Sequence, residues 1–276
     1  MQLPERMEAR MVESERVRMI AALVAARGFA AVRDLTEATG ASPATLRRDL
    51  AKLAAAGVVR RVHGGVEAAD ARPRLATSPF DIGQTRAVAA KRAIARAAAA
   101  LCADGETIIV NAGSTTFQMA AFLRERRLQI VTNSFPMAAA LVETSDNRVL
   151  IPGGEIYREQ GIVLSPFDDD ALRHVAACRM FMSAVTVGPL GVIEGDPLIA
   201  RAEAKLLDRA PELVVLLDSG KFARHGALAV CPLARVSRLI TDDAAPPEAL
   251  AMLRDAGVAV TVVAPDAEDR ALGAAA

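Results

Sequence analysis

The sequence predicts an α/β chain in two parts: a small helical head closed by a basic β-hairpin, and a larger body built on a largely parallel sheet. Three observations carry this expectation. A capped, leucine-striped helix runs into an alternating apolar and basic strand between Ala41 and Gly65; the basic excess collects at one end of the chain; and from Thr85 onward short apolar strands alternate with helices.

In the head, Val17, Ile20, Leu23 and Val24 form a helical stripe closed by Gly28, and a short second helix spans residues 32–39, bounded by Gly40. Ser42 is then an N-cap with Pro43 at the first helical position, where its missing N–H costs nothing. Leu46, Leu50 and Leu53 recur at i, i+4 and i+7, and Gly57 ends the helix in the left-handed conformation. The other face carries Thr45, Arg47, Arg48 and Lys52. Beyond Gly57, VVRRV alternates, and His63, Gly64 and Gly65 make a reversal before Val66 returns as a second strand. This is the order of a winged helix-turn-helix, whose later helix enters the major groove of DNA. Arg47 and Arg48 suit bidentate contact with guanine, whereas Lys52, Arg60 and Arg61 suit phosphate contacts. The bland alternative is that the arginines only solvate an exposed face. It is outweighed by the agreement of cap, stripe, preceding helices and basic hairpin. His63 is either a phosphate contact or a residue that tolerates the turn backbone.

The chain has 276 residues with 33 basic and 33 acidic side chains, but 13 and 9 of these fall in residues 1–75, leaving 20 and 24 for the body. A basic head on an acidic body fits an electrostatic DNA contact. The apolar fraction of 52% suits a globular chain of two domains. No long uninterrupted apolar run appears and the N-terminus is charged, so the expectation is a cytoplasmic protein with neither membrane span nor secretory signal. Cys102, Cys178 and Cys231 are scattered and read as core thiols; with His63, His174 and His225 equally scattered, no metal site and no cofactor are implied.

The domains are expected at 1–70 for the head, 71–84 for a linker containing Pro73 and Pro79, and 85–276 for the body. Within the body, strands are expected at 107–111, 128–133, 148–152, 180–187, 213–218, 238–242 and 258–263. Helices are expected at 85–101, 116–126, 136–143, 166–176, 198–209 and 247–256. Such alternation implies a largely parallel sheet that binds ligands at its carboxyl ends.

At those ends, Asn111 to Thr116 is a strand running into a glycine and hydroxyl-rich turn and then a helix. Gly113 admits close backbone approach, and Ser114, Thr115 and Thr116 add hydroxyls, so the turn is a candidate phosphate cradle. The same residues also serve as ordinary helix caps. The GxxxxGK[ST] spacing of a P-loop is missing. Thr132 and Asn133 follow the second strand, Gly153 and Gly154 the third, and Lys221 the fifth. Lys221 could neutralise a phosphate. Glu203, on the helix before that strand, has the weaker claim, since helix glutamates are usually solvated.

Taken together, TLRRDL, RRVHGG, NAGSTT, VTNS, IPGG and DSGKF, in that order over roughly residues 16–243, resemble the DeoR/GlpR family of bacterial transcriptional regulators. The resemblance implies a winged head joined to a body similar to ribose-5-phosphate isomerase and CoA transferase folds, which senses a phosphorylated sugar. It also implies a repressor released from operator DNA by that metabolite. GSTTF, IVLSPF and GPLGVIEGD are most similar to the regulators of L-ascorbate utilisation, which implies L-ascorbate 6-phosphate as effector. The phosphate-loop motif of the family matches Asn111, Gly113, Ser114, Thr115 and Thr116, its TN motif Thr132 and Asn133, and its SK motif loosely Ser219 to Lys221. It commonly opens with Asp where this chain has Asn111, which weakens the alternative of a sugar-phosphate isomerase carrying a DNA-binding head, because proton transfer needs a placed carboxylate. A protein-binding head is a third and lesser alternative. A homo-oligomer on paired half-sites is expected, because one small winged head buries little DNA surface.

Overall fold

The computed structural model describes residues 13–27, 29–62, 65–68, 80–165 and 171–275. The chain divides into two compact units, Met1–Arg74 and Leu75–Ala276.

The first unit contains α1 (Glu13–Arg27), β1 (Phe29–Ala31), α2 (Val32–Thr39), α3 (Pro43–Ala55), β2 (Val59–Val62) and β3 (Gly65–Ala68). Helix α2 stops at Gly40, whose φ of 62° lets its N–H donate back to Thr36 O. Helix α3 starts at Ser42, whose side chain accepts from Thr45 N, with Pro43 in the first turn. Leu46, Leu50 and Leu53 are buried against Ile20, Val24, Leu35, Val59 and Val66, forming a single core for the unit. The hairpin β2–β3 gains a third strand that periodicity did not reveal: β1 pairs antiparallel with β3, in the order β1-β3-β2. Three residues are too few to show a period. The turn residues His63 and Gly64, and Gly28, lie outside the described residues.

A polar tie also stayed hidden in the sequence. Asp49, within the RRDL run, is buried on α3 and accepts a hydrogen bond of 2.6 Å from Arg16 Nε on α1. The pair fixes the crossing of the first and third helices.

The second unit contains α4 (Phe80–Gln84), α5 (Val88–Ala99), β4 (Thr107–Val110), α6 (Ser114–Phe117), α7 (Ala120–Leu123), β5 (Gln129–Val131), α8 (Phe135–Thr144), β6 (Arg148–Leu150), β7 (Glu155–Tyr157) and β8 (Ile162–Leu164). It continues through β9 (Arg179–Met182), β10 (Thr186–Gly188), β11 (Gly191–Glu194), α9 (Pro197–Leu207), β12 (Glu212–Leu216), β13 (Leu228–Cys231), β14 (Arg238–Asp242), α10 (Pro247–Asp255), β15 (Ala259–Val263) and α11 (Ala267–Ala275). Seven strands form one parallel sheet in the order β15-β14-β12-β9-β4-β5-β6. Both faces are covered. Ile108, Val110, Phe181, Val214 and Leu216 pack with α5, α7 and α8 on one face, while Ile109, Met180, Met182, Val215 and Leu217 pack on the other. Burial on both sides is why these strands read as unbroken apolar runs rather than alternations. The chain travels outward from β4 through β5 and β6, then returns to the other side of β4 as β9. The order therefore reverses between β4 and β9, which is where open parallel sheets bind ligands.

Several expected elements differ. Residues 180–187 are not one strand: β9 ends at Met182, and the backbone leaves the sheet at Ser183 and Ala184 to enter a separate antiparallel sheet, β10-β11-β13. Residues 116–126 form two short helices, because Gln118 and Met119 bond three residues back, to Thr115 and Thr116. Of 166–176, residues 171–174 make one 3-10 turn and 166–170 lie outside the described residues. Phe80 to Gln84, at the end of the expected linker, form helix α4; residues 71–79 lie outside the described residues. The hairpin β7–β8 and helix α11 had no strong periodic signal. Cys102 and Cys231 are buried, but Cys178 is exposed at the entry to β9 and is not a core thiol.

Asp49→Ala should destabilise the first unit by about 3 kcal/mol, because it breaks a largely buried ion pair by removing one partner. Urea denaturation of the full chain, followed by a probe in the head, checks this. An unchanged midpoint would remove the pair from the account.

Candidate functional site

In the first unit, Arg47 and Arg48 are exposed on α3 beside its amino end. Ser42 and Thr45 hold each other through their hydroxyls at 2.9 Å, so both serve the cap. Lys52 is exposed one turn from the end of the same helix. On the wing, Arg60 lies 3.3 Å from Glu67, its cross-strand neighbour, and is partly neutralised there, whereas Arg61 is exposed. His63 lies outside the described residues.

In the second unit the carboxyl ends of β4, β9 and β12 converge on a small cavity of about 80 Å³ that opens to solvent. Gly113, Ser114, Glu203 and Lys221 from the sequence reading line it; so do Arg86, Lys91, Ser183, Glu194 and Arg224, which were not singled out. Isolated charges on different helices and loops carry no periodic signal, so only the fold could assemble them.

Asn111, Thr116 and Thr132 are buried and act as the frame of the cavity, whereas Asn133, also buried, lines a larger cavity on the other face of α9. Asn133 Oδ1 accepts from Ala112 N at 2.8 Å, Thr132 Oγ1 accepts from Ser134 N, and Thr116 Oγ1 donates to Asn111 O. Thr115 is fully buried, with its Oγ1 lacking a hydrogen-bond partner. Gly153 and Gly154 do not reach the cavity. They are exposed after β6, and Gly154 is glycine because an added Cβ would meet Leu164 O at 2.2 Å. The reason for Gly113 is also different from that expected. Its backbone is extended at φ 175°, and a Cβ there would fall 2.7 Å from Ser183 Cβ, so it admits Ser183 rather than a ligand. The helix that follows has only four residues. With one turn of helix, side-chain cations must supply most of the attraction for an anion.

Four cations do so. Lys221 is buried, and its Nζ donates to Ser183 Oγ at 2.8 Å and Ala184 O at 2.7 Å. Burial pushes its pKa down, as Arg224 also does, while Asp218, Glu194 and Glu203 pull it back up. Lys91 is buried on α5 and donates to Gly83 O. Burial lowers its pKa to about 8, with Lys221, Arg224 and Arg86 adding repulsion and Asp218 opposing them. An arriving dianion would relieve that repulsion.

Two carboxyls share the cavity with them. Glu203 is not the solvated helix glutamate expected: only 1% exposed, it accepts at Oε1 from Asn111 Nδ2 at 2.7 Å. Burial first, then Glu194, raises its pKa well above the carboxylate range. Glu194 accepts from Val185 N and Gly195 N, and burial lifts its pKa to about 7 against the pull of Lys221.

The larger cavity, of about 440 Å³, uses the other face of α9, between the β7–β8 hairpin and Leu172. Its wall combines Ile156, Val163, Leu164, Leu198 and Leu206 with the charged Glu155, Arg158, Arg201 and Lys205. The first cavity differs in that two of its cations and both of its carboxyls are buried. Among the described residues no group of three or more His, Cys, Asp or Glu is placed to hold a metal, and no helix is long and apolar enough to cross a membrane.

Fold and site together define a DNA-binding transcriptional regulator with a ligand-sensing α/β body. Sequence comparison places it further. A model of the DeoR-like helix-turn-helix domain matches residues 16–72, and one of the DeoR C-terminal sensor domain matches residues 86–243. The chain belongs to the DeoR family of transcriptional regulators. It is 34% identical over 251 residues to the HTH-type transcriptional regulator UlaR of Shigella flexneri serotype 5b, covering 91% of this chain and 99% of that protein. The same identity and coverage hold for UlaR of Escherichia coli O139:H28. Among solved structures, ribose 5-phosphate isomerase A of Methanocaldococcus jannaschii overlaps 48% of this chain and 53% of its own, at 20% identity and a TM-score of 0.36. The eIF2B-beta2-delta2 complex of Chaetomium thermophilum overlaps 54% and 46%, at 17% identity and a TM-score of 0.39.

Arg47→Ala and Arg48→Ala should each weaken operator binding by about 1–3 kcal/mol, with less effect on random DNA. Arg61→Ala should weaken binding to all sequences and flatten the salt dependence, and Arg60→Ala should cost less because Glu67 already shares its charge. Fluorescence anisotropy at matched salt decides. Recognition-helix variants that bind like the parent would rule out α3 as the reader.

The raised carboxyls also set a pH dependence. Their folded pKa values exceed the usual value of 4.5, so the stability they contribute is complete below that value and is lost as pH rises through about 7, where Glu194 ionises, and beyond. Glu194→Gln should flatten this slope in thermal melts of the full chain between those limits. A slope identical to that of the parent would show that Glu194 titrates normally.

Proposed function

We propose that the chain represses an operon for catabolism of a sugar or sugar acid, and that a phosphorylated sugar bound in the second unit releases it from the operator. The observation that carries this reading is the convergence of Arg86, Lys91, Lys221 and Arg224 with two buried carboxyls at the strand-order reversal. A phosphate dianion matches the cations, and hydroxyl or carbonyl oxygens match the carboxyls. Asn111, Gly113, Ser114, Thr115, Thr116, Thr132 and Asn133 form or support this effector site.

The effector is bound without being converted. An aldose–ketose isomerisation needs a base placed to move a proton, and position 111 offers a neutral amide whose hydrogens go to Ser183 O and Glu203 Oε1. Similarity to UlaR makes L-ascorbate 6-phosphate the first ligand to test, followed by pentose and hexose phosphates. In the head, Ser42, Thr45, Arg47, Arg48, Lys52, Arg60, Arg61 and His63 make the DNA surface. The protein acts in the cytoplasm as a homo-oligomer on repeated half-sites, because linked heads raise the effective concentration at the operator.

Calorimetry and anisotropy test this directly. The full chain should bind one of these phosphates and lose operator affinity, while Lys221→Ala keeps operator binding but responds at least about tenfold less to ligand. The absence of binding to every phosphate tried, or steady turnover of one by NMR, would overturn the sensor reading.

A further inference from the structure

The cavity has two poles, and the second names the part of the ligand that it receives; this inference rests on the sensor reading above. Asn111 is locked in orientation. Ser183 N donates to its Oδ1 at 2.9 Å, and its Nδ2 donates to Ser183 O at 2.9 Å and to Glu203 Oε1 at 2.7 Å. One carboxyl oxygen of Glu203 is thereby used. The other, Oε2, is buried without a hydrogen-bond partner on a residue that lines the cavity.

No ion pair compensates Glu203 among the described residues, since Lys221 Nζ is spent on Ser183 Oγ and Ala184 O. The groups that face it are Glu194 from β11, Lys221 from the turn after β12 and Asn111 from the end of β4. A carboxylate without a paired cation, buried beside a second carboxyl, is disfavoured relative to the neutral acid. A neutral acid whose Oε1 already accepts carries its proton on Oε2.

We propose that Glu203 is the specificity-determining hydrogen-bond donor of this site, giving the Oε2 proton to a carbonyl, lactone or carboxylate oxygen at the end of the ligand remote from its phosphate. The charges acting on Lys91 are Asp218, Lys221, Arg224 and Arg86, whereas those acting on Glu203 are Glu194 and Lys221. Lys221 belongs to both sets. Lys221 therefore acts on both the cations suited to a phosphate and the acid suited to an acceptor oxygen, and the site selects phosphorylated oxo sugars, lactones and sugar acids over phosphorylated alditols.

Titration of the full chain at neutral pH with L-ascorbate 6-phosphate, D-gluconate 6-phosphate and D-glucitol 6-phosphate tests this, using the parent, Glu203→Gln and Glu203→Leu. The tighter of the first two should bind the parent at least about tenfold better than the alditol phosphate, because the alditol offers only hydroxyl oxygens, which accept more weakly than a carbonyl or, above all, a charged carboxylate oxygen. Glu203→Gln should keep that preference, because its Oε1 can accept from Asn111 while Nε2 donates in place of the acid proton; Glu203→Leu should abolish it. Affinity of the parent should fall more steeply with rising pH than that of Glu203→Gln, which retains only the contributions of Glu194 and Lys91. A ligand-free readout is the carboxylic-acid band in the infrared difference spectrum between parent and Glu203→Gln, expected at neutral pH. Loss of the preference in Glu203→Gln, or absence of the acid band, would overturn the donor role while leaving the sensor reading intact. Failure of the parent to bind all three phosphates would overturn the sensor reading, and the donor role with it.

Discussion

The site depends on one reciprocal interaction, the three hydrogen bonds of the Asn111 amide. Two join it to the backbone of Ser183 and one to Glu203, so a single side chain at the end of β4 fixes where β9 ends and where α9 faces. Everything else in the cavity leans on Ser183. Its backbone is pulled out of strand geometry, its Cβ occupies the space left by Gly113, and its hydroxyl receives Lys221. A buried amide can satisfy donors and acceptors at once, which a carboxylate at this position could not do.

That frame gathers unlike charges into a small volume. On one side, cations on α5 and on the turn after β12 repel one another and wait for an anion. On the other, two carboxyls share a buried environment with little compensation. Both arrangements cost stability, and a ligand with a dianionic end and an acceptor end would relieve both. Energetic strain of this kind is typical of a binding site and unusual in a structural core.

Much of the head was legible because its signals are local. A cap, a proline, a leucine stripe and an alternating basic strand all lie within about a turn or a hairpin of one another. The parallel body was legible from its apolar runs, but the bend at Ser183 was not, since nothing in MSAVTV marks a strand that leaves its sheet. The candidate site was half visible. Gly113, Ser114 and Lys221 follow strands and drew notice, whereas Arg86, Lys91, Glu194 and Arg224 come from four separate segments that only tertiary packing assembles. Glu203 looked solvated because helix periodicity does not report which polar residue is turned inward. Gly153 and Gly154 misled for a related reason: a glycine pair after a strand marks a close approach, here of the β7–β8 hairpin, without saying what approaches.

The central claim is that a phosphorylated sugar occupies the cavity between Lys91 and Glu203. Hydrogen exchange of the full chain with and without L-ascorbate 6-phosphate or another binding sugar phosphate tests it most directly. Added protection is expected at residues 111–116, at 183–185 and around Lys91 and Lys221. Protection confined instead to the β7–β8 hairpin and the Leu198, Ala202 and Lys205 face of α9 would place the effector in the larger cavity and contradict it.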